Sequence, residues 1–591
     1  MKQFFKFLLA SCLGTILALV LFAGLGALIV GALASSVEKP HSAKPNTVLH
    51  LQFEQAIPER TNNLEMNPFD LKNQKILGLQ DMLDALEAAR DDANIKGVFL
   101  DLGVQGVNMG MATASVLRER LLDFKGSGKF IVAYAPYYTQ GSYYLASIAD
   151  EIYLNPMGGL DFRGFGAILP FYKNLLEKIG VEMQVFYAGD FKSATEPYRL
   201  TKMSDQNRLQ LRELVESIYG RYLTDIGQSR NMTAAELRAI ADGFKLRQAE
   251  DARTYGLVDQ IGHRDAVLTA LRNRLGLEED DKIPSMTIDE YAASTGSKKD
   301  YSARDKVAVV YAEGTLVMGE GDPGSIGGDR YSKILREVRK DERVKAIVLR
   351  VNSRGGSVLA SDDIWQELHL AKEQGLPVVV SMGDYAASGG YYISCLADSI
   401  LVEPNTITGS IGVFAMLPNA ETLLNDKLGI TFDTVQTGRF STGLTPFYPV
   451  TEEERQIMQA STDQIYEHFL KVVADGRGMT RDEVHAIAQG RVWTGDRAVE
   501  LGLADRFGNL EDAIEVAVQM AGLEKYRTTE YPRIKEPLQQ FIEEITGVEE
   551  DVRSQAIRAE LGEFYQYYEA LQELQHASGY QARLPFSVEF R

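Results

Sequence analysis

The sequence predicts an α/β protein built from two tandem repeats, with an N-terminal transmembrane helix and a C-terminal helical tail. Three observations lead to this prediction. Much of the chain matches itself at a nearly constant offset, β-branched strands alternate with amphipathic helices in both copies, and a long uncharged apolar run opens the sequence. With 591 residues, 45% of them hydrophobic, the chain is long enough for more than one globular core.

Residues 1–36 are predicted to anchor the protein in a membrane. The stretch 7–36 is uncharged and mostly apolar, about the length that spans a bilayer. Two lysines precede it and, by the positive-inside rule, stay in the cytoplasm, so the rest of the chain lies on the other side. The Ala-Leu-Ala sequence at 32–34 also fits a signal-peptide cleavage site. The apolar run is, however, about twice the length of a normal signal-peptide core, which favours an uncleaved anchor.

The repeated units are predicted to span residues 46–296 and 306–530, joined by a charged linker. Residues 178–189 align with 427–438 at an offset of 249, and residues 256–259 align with 502–505 at an offset of 246. Each copy is expected to open with a strand, a helix and a second strand, which is typical of stacked parallel βαβ units. The predicted bounds are 48–53, 78–90 and 97–102 in the first copy, and 307–311, 334–339 and 346–351 in the second.

The remaining residues, 531–591, are predicted to form a helical tail. Apolar residues between 538 and 577 recur at helical spacing, and we interpret this segment as a packing or oligomerisation helix.

The negative net charge and the lack of metal-binding motifs in the sequence argue against several classes of function. A net charge of −20 argues against nucleic-acid binding. No CxxC or HExxH motif occurs, and the seven histidines do not cluster. We therefore expect neither a metal site nor a cofactor.

Ser388 is the candidate nucleophile. Residues 378–380 read as a buried strand and 391–397 as an apolar helix, so Ser388 lies at the first turn of a helix that follows a strand. Unpaired backbone N–H groups and the helix dipole would stabilise an oxyanion there. The alternative is that Ser388 only caps the helix. The first copy has Gln140 at the corresponding position, 248 residues earlier, so only the second copy can supply a nucleophile.

Lys192 is the candidate general base. A serine nucleophile needs a neighbouring base, and no histidine lies in these motifs. A lysine can do this work when burial lowers its pKa well below the usual value of about 10.4. The second copy has Ser441 at the position of Lys192. A solvated loop lysine is the alternative, but each copy lacks what the other has, which favours one shared site.

Two turns of the second copy are predicted to complete the site. Gly355 and Gly356 follow its second strand, and the N–H of one of them, with that of Gly389, would form the oxyanion hole; we favour Gly356. Ser410 is replaced by Phe162 in the first copy, and its hydroxyl could orient the lysine amine. A glycine turn leading into a helix and a hydroxyl that caps a turn remain the alternative readings.

Together these motifs resemble the signal peptide peptidase A family, also called protease IV, in its long, duplicated, membrane-anchored bacterial form. The resemblance covers nearly the whole chain. It implies a Clp/crotonase-like fold and a Ser–Lys dyad, with Ser388 as nucleophile, Lys192 as base and Ser410 hydrogen-bonded to the lysine. Arg354 stands where the family usually has proline, which loosens the loop and adds a positive charge at the entrance. The matching segments are 189–194, 351–356, 382–384 with 387–391, 408–412, 492–495 and 502–505.

The resemblance also implies a location and a substrate. Family members degrade cleaved signal peptides and other apolar peptides. The implied protein is a single-pass homotetramer of the inner (cytoplasmic) membrane, with its catalytic part on the periplasmic side. Two alternatives stay open. A crotonase-like acyl-CoA enzyme shares the double-glycine turn and predicts coenzyme A binding, and a membrane scaffold that has lost catalysis predicts that Ser388 is unreactive.

Overall fold

The structure is a computed structural model that, apart from Lys6 and Gly14, describes residues 42–53, 57–60, 77–104, 109–295, 302–322, 324–533 and 579–584. Within these ranges no helix has the length and apolar character needed to cross a membrane. The predicted anchor over 1–36, except for Lys6 and Gly14, and the predicted helix over 538–577 lie outside the described residues.

The first repeat is organised around a six-stranded parallel sheet. Its elements in chain order are β1 (Thr47–Gln52), α1 (Leu79–Asp91), β2 (Ile95–Asp101), α2 (Met111–Gly126), β3 (Phe130–Ala135), α3 (Gln140–Ala146), β4 (Glu151–Leu154), α4 (Lys173–Ile179), β5 (Glu182–Ala188), α5 (Glu196–Arg199), α6 (Asp205–Arg230), α7 (Ala234–Asp242), α8 (Ala249–Thr254), β6 (Gln260–Ile261), α9 (Arg264–Leu275), β7 (Ser285–Thr287) and α10 (Ile288–Thr295). The strand order is β6-β4-β3-β2-β1-β7. The central strands are almost wholly buried because helices cover both faces of the sheet.

The second repeat has a related eight-stranded sheet. Its elements are β8 (Lys306–Glu313), β9 (Thr315–Val317), β10 (Ser325–Gly327), α11 (Gly328–Lys340), β11 (Val344–Ser353), β12 (Gly355–Ser357), α12 (Val358–Glu373), β13 (Val378–Ala387), α13 (Gly389–Tyr392), β14 (Ser399–Val402), β15 (Ile407–Gly409), β16 (Val413–Asn419), α14 (Glu452–Arg477), α15 (Arg481–Ile487), β17 (Val492–Thr494), α16 (Gly495–Glu500), β18 (Arg506–Phe507), α17 (Leu510–Met520) and β19 (Arg527–Tyr531). The main path of this sheet is β17-β15-β13-β11-β8-β19, and β14 also pairs with β13. The sheet is parallel except for the antiparallel pair β15–β17.

A third sheet joins the two repeats. Its order is β10-β9-β12-β20-β16-β5, where β20 (Gln581–Arg583) belongs to the C-terminal segment. Strand β5 of the first repeat runs antiparallel to β16 of the second over seven residue pairs. This pairing brings the loop after β5 to the ends of β13 and β15.

Two predicted helices differ from the structure. Within the range 531–591, predicted as a helical tail, residues 581–583 form a strand, because they add to sheet edges contributed by distant parts of the chain. The apolar helix expected over 391–397 is helical only to Tyr392. Beyond that point the chain turns back toward the sheet, and the Asp398 amide donates to the Val378 carbonyl at 2.8 Å.

Candidate active site

Ser388 occupies a strained turn between β13 and α13. Its φ of 57° and ψ of −114° lie in a region that residues with a Cβ rarely adopt. Two backbone hydrogen bonds hold the turn: the Ser388 N–H donates to Gly409, and its carbonyl accepts from Tyr392, each at 2.8 Å. The side chain makes no capping hydrogen bond to the helix. The backbone is thus fixed while the hydroxyl remains available for another partner.

That partner is the amine of Lys192, which lies 2.8 Å from the Ser388 hydroxyl oxygen within one chain. The same nitrogen lies 3.1 Å from both the hydroxyl and the carbonyl oxygen of Ser410. Lys192 is 1% exposed, and this burial lowers its pKa well below the usual value. A neutral amine has two N–H donors and one lone pair. It can donate to the two Ser410 oxygens and accept the proton that the Ser388 hydroxyl donates.

A loop of the second repeat holds Lys192 in place. The Phe191 amide donates to the Gln489 carbonyl at 2.9 Å. Gly490 has a φ of 78°, and a Cβ built on it would lie 2.6 Å from the Lys192 Cβ. The loop therefore needs glycine both for its backbone conformation and for its close approach. The sequence analysis missed this contact, although the Gln-Gly pair at 489–490 is a turn signal.

Gln210 is a second residue that the sequence analysis missed. Its side chain is 1% exposed and donates to the Phe191 carbonyl at 3.1 Å and to the Ser193 hydroxyl at 3.0 Å. Its amide oxygen accepts from the Val492 N–H at 3.3 Å. Gln210 thus ties the loop that carries Lys192, residues 189–193 and called the lysine loop below, to β17. A glutamine in the second turn of a 26-residue helix gives no sequence signal for this role.

The double-glycine turn lies directly beside Ser388. A Cβ on Gly355 would overlap the Ala582 carbonyl oxygen and lie 2.8 Å from the Gly389 amide nitrogen. A Cβ on Gly356 would overlap the Leu316 carbonyl. The Gly355 amide donates to the Ser353 hydroxyl at 3.1 Å. Side chains are therefore excluded from this corner, and the Gly355 N–H already has a partner.

In the first repeat, larger side chains occupy the positions that correspond to Ser388 and Ser410. Gln140, at the position of Ser388, accepts from the Gly164 amide at 3.0 Å through its side chain. Phe162, at the position of Ser410, is 2% exposed and packs against Tyr143 and Tyr222. In the first repeat, the Phe162 ring and the hydrogen-bonded Gln140 side chain therefore occupy the positions that Ser410 and Ser388 hold in the second repeat.

A hydroxyl held in a strained turn, with glycines beside it and an amine in contact, is the chemistry of a serine hydrolase. Comparison with known proteins shows which kind of serine hydrolase this is, namely a serine peptidase. The model of peptidase family S49 matches residues 123–278 and 370–524, one segment in each repeat and more than half of the chain. The chain belongs to this family.

Curated relatives agree with that assignment. Protease 4 of Haemophilus influenzae is 36% identical over 452 residues, which cover 74% of this chain and 72% of the relative. Protease 4 of Salmonella typhi is 36% identical over 496 residues, covering 82% of this chain and 78% of the relative. A putative signal peptide peptidase SppA of Enterococcus faecium is 39% identical over 181 residues, 31% of this chain and 52% of the relative.

Proposed function

We propose that this protein is a membrane-anchored serine endopeptidase that degrades cleaved signal peptides through a Ser388–Lys192 dyad. The observation that carries the proposal is the 2.8 Å contact between the buried Lys192 amine and the Ser388 hydroxyl. Burial keeps the amine neutral, and a neutral amine beside a hydroxyl can act as its base.

The reaction proceeds as acyl transfer. Lys192 takes the proton of Ser388 as the serine oxygen attacks a peptide carbonyl, and the oxyanion rests on the N–H groups of Gly356 and Gly389. Lys192 then protonates the leaving amine, and an acyl-enzyme remains. The lysine next activates the water that hydrolyses this ester. Ser410 accepts from the lysine N–H and keeps the lone pair directed at Ser388.

The choice of Gly356 over Gly355 for the oxyanion hole has support from hydrogen bonding. The Gly355 N–H donates to Ser353, whereas the Gly356 N–H belongs to the strand edge that faces β20. A Clp/crotonase-like architecture, in which a double-glycine turn follows a parallel strand, is part of the proposal. Strand β11 pairs in parallel with β13, and the double-glycine segment β12 follows directly after β11 along the chain, which is consistent with it.

The proposed location and substrate rest on the sequence. The apolar run at 7–36 supports a single-pass anchor in the inner membrane, with the catalytic part on the periplasmic side. Similarity to the signal peptide peptidase SppA of Enterococcus faecium supports signal peptides as substrates. We propose no metal or cofactor for the reaction, because the dyad and the glycine amides supply every proton and charge that it needs.

We extend the proposal to a homotetramer, supported by two exposed segments that correspond to paired strands. At the repeat offsets, β5 corresponds to residues 431–437 and β16 to residues 165–171, and neither counterpart is a strand in this chain. They carry the exposed apolar side chains Val435, fully exposed, and Ile168, 98% exposed. Pairing 431–437 of one copy with 165–171 of the next would repeat the β5–β16 contact, and head-to-tail contacts form a closed ring when the rotation between neighbouring copies divides a full turn evenly, as a tetramer requires.

The dyad is tested by Ser388→Ala and Lys192→Ala, assayed on an apolar fluorogenic peptide. Each variant should lose peptidase activity while keeping the circular dichroism spectrum and melting temperature of a folded protein. Ser394→Ala is the matched control, because its equally buried hydroxyl donates to the Gly390 carbonyl instead. Full activity in either dyad variant would end the proposal.

Labelling distinguishes the peptidase from the two alternatives. A fluorophosphonate probe should modify the wild type at Ser388 and leave Ser388→Ala unlabelled. An inactive scaffold predicts no labelling at all, and a crotonase-like enzyme predicts saturable binding of coenzyme A. Membership of a peptidase family favours the first outcome.

A further inference from the structure

The C-terminal strand β20 fills a gap between the two repeats. It lies between β12 and β16, antiparallel to both, with Gly356 opposite Ala582 and Phe414 opposite Gln581. If β20 is taken away, the third sheet separates into β10-β9-β12 and β16-β5. The two facing edges would then present unpaired backbone groups across a gap one strand wide, which is how proteins bind extended peptides by strand addition.

The strand also reaches the proposed oxyanion hole. The Ala582 carbonyl oxygen and the Gly389 amide nitrogen border the same small space beside Gly355. On either side, the Leu584 amide donates to the Arg354 carbonyl at 2.8 Å and the Val358 amide donates to the Tyr580 carbonyl at 3.3 Å. A backbone carbonyl therefore lies where a substrate carbonyl would have to enter.

With β20 seated, the dyad is sealed. Ser388 is 0% exposed and Lys192 is 1% exposed, while Ala582 is itself 0% exposed. A peptide cannot present its carbonyl to a hydroxyl that is closed off from solvent.

We propose that residues 579–584 act as an internal pseudosubstrate, a strand of the chain's own C-terminal segment that occupies the peptide cleft and competes with substrates. The inference rests on the proposed function. Backbone pairing to β12 and β16 depends little on side chains, so another extended peptide can replace β20 strand for strand. The strand is tethered to the enzyme, so it competes at a fixed effective concentration whatever the enzyme concentration.

The fraction of molecules in which β20 occupies the cleft determines how strongly β20 raises the KM for a peptide substrate. When only a fraction of molecules is competent to bind, the apparent affinity is reduced by that fraction. If β20 is seated in nine of ten molecules, removing it should lower KM for a peptide substrate about tenfold and leave kcat unchanged.

The test compares two truncations of the full chain. One ends after Ser578 and lacks β20; its matched control ends after Leu584 and keeps it. We expect a KM about tenfold lower for the first variant and an unchanged KM for the second. The free peptide Gly-Tyr-Gln-Ala-Arg-Leu should then inhibit the first variant competitively and have much less effect on the wild type. Equal KM values with no inhibition by the peptide would overturn the proposal.

Two further measurements keep the outcome decisive. If the shorter truncation does not fold, Ala582→Pro in the full chain removes an N–H from the strand and should lower KM in the same way. A folded variant of either kind that loses activity would mean that β20 only completes the sheet, which also overturns the proposal. In the Ser388→Ala background, the fluorescently labelled peptide should bind the truncated chain about tenfold more tightly than the full chain. That anisotropy measurement needs no catalysis, so its result is independent of whether the dyad mechanism is right.

Discussion

Replacing Ser410 with alanine isolates one hydrogen bond of the Lys192 amine. The amine lies 3.1 Å from both the Ser410 hydroxyl and the Ser410 carbonyl, and alanine removes only the hydroxyl. A hydrogen bond of this kind contributes about 0.5–1.5 kcal/mol, which corresponds to a two- to thirteenfold loss in kcat/KM. If the freed N–H stays unpaired, at a cost of up to about 3 kcal/mol, the loss rises to the order of a hundredfold.

The same substitution should shift the pH dependence. An oxygen that accepts from the lysine N–H favours the charged amine, so its removal should lower the pKa of Lys192 further. The rise in activity should therefore begin at lower pH than in the wild type. Initial rates on a fluorogenic peptide across a pH series, with Ser394→Ala as control, measure both effects.

Two results would refute this reasoning. Unchanged activity with an unchanged pH profile would mean that Ser410 does not orient the amine. A loss as complete as that of Ser388→Ala would mean that Ser410 takes part in the chemistry itself.

Four further predictions concern the buried groups and the turn that holds the lysine. Because burial lowers the pKa of Lys192, activity in the wild type should rise with pH through one ionisation well below 10.5. At pH values between the pKa of Lys192 in the folded protein and its pKa in the unfolded chain, only the unfolded chain binds this proton. The free energy of unfolding should therefore rise with pH in that range. Lys192→Met, though inactive, should melt above the wild type at pH 7, and the difference should shrink toward pH 10.5; a lower melting temperature would contradict this. Arg350 and Glu59 form a bidentate ion pair, each 4% exposed, and Arg350→Met should cost about 3–5 kcal/mol in urea unfolding because it strands a buried carboxylate. The double variant with Glu59→Gln should recover part of this loss, and an additive loss would argue against the pair. Gly490→Ala should lower kcat at least tenfold, about 1.4 kcal/mol, because its Cβ would displace Lys192, and an unchanged kcat would show that the loop yields.

The sequence was informative about the site because the chain contains its own comparison. The place of Ser388 between a predicted strand and a predicted helix indicates a nucleophile, and the counterparts Gln140 and Ser441 in the opposite repeats support Ser388 and indicate Lys192. The opening strands of each copy were also predictable within a few residues, since β-branched runs bounded by turns carry a strong local signal.

What could not be predicted depends on contacts between distant residues. Strand β20 has three residues and pairs with partners more than 150 positions away, so no periodicity reveals it. Gln210 and Gly490 act on the lysine loop only after both repeats have folded against each other. The helix expected over 391–397 is cut short because the tertiary requirement to start β14 outweighs local apolar pattern.

Because the third sheet draws strands from both halves, the order of translation matters. The ribosome synthesises Lys192 about two hundred residues before Ser388. The glycines whose amides flank the Ser388 hydroxyl are synthesised with the second repeat. With the proposed dyad, a nascent polypeptide that stalls between the two carries only one of its two residues and cannot digest its neighbours. Biosynthesis itself thus delays the hazard of making a protease until about two thirds of the chain has been synthesised.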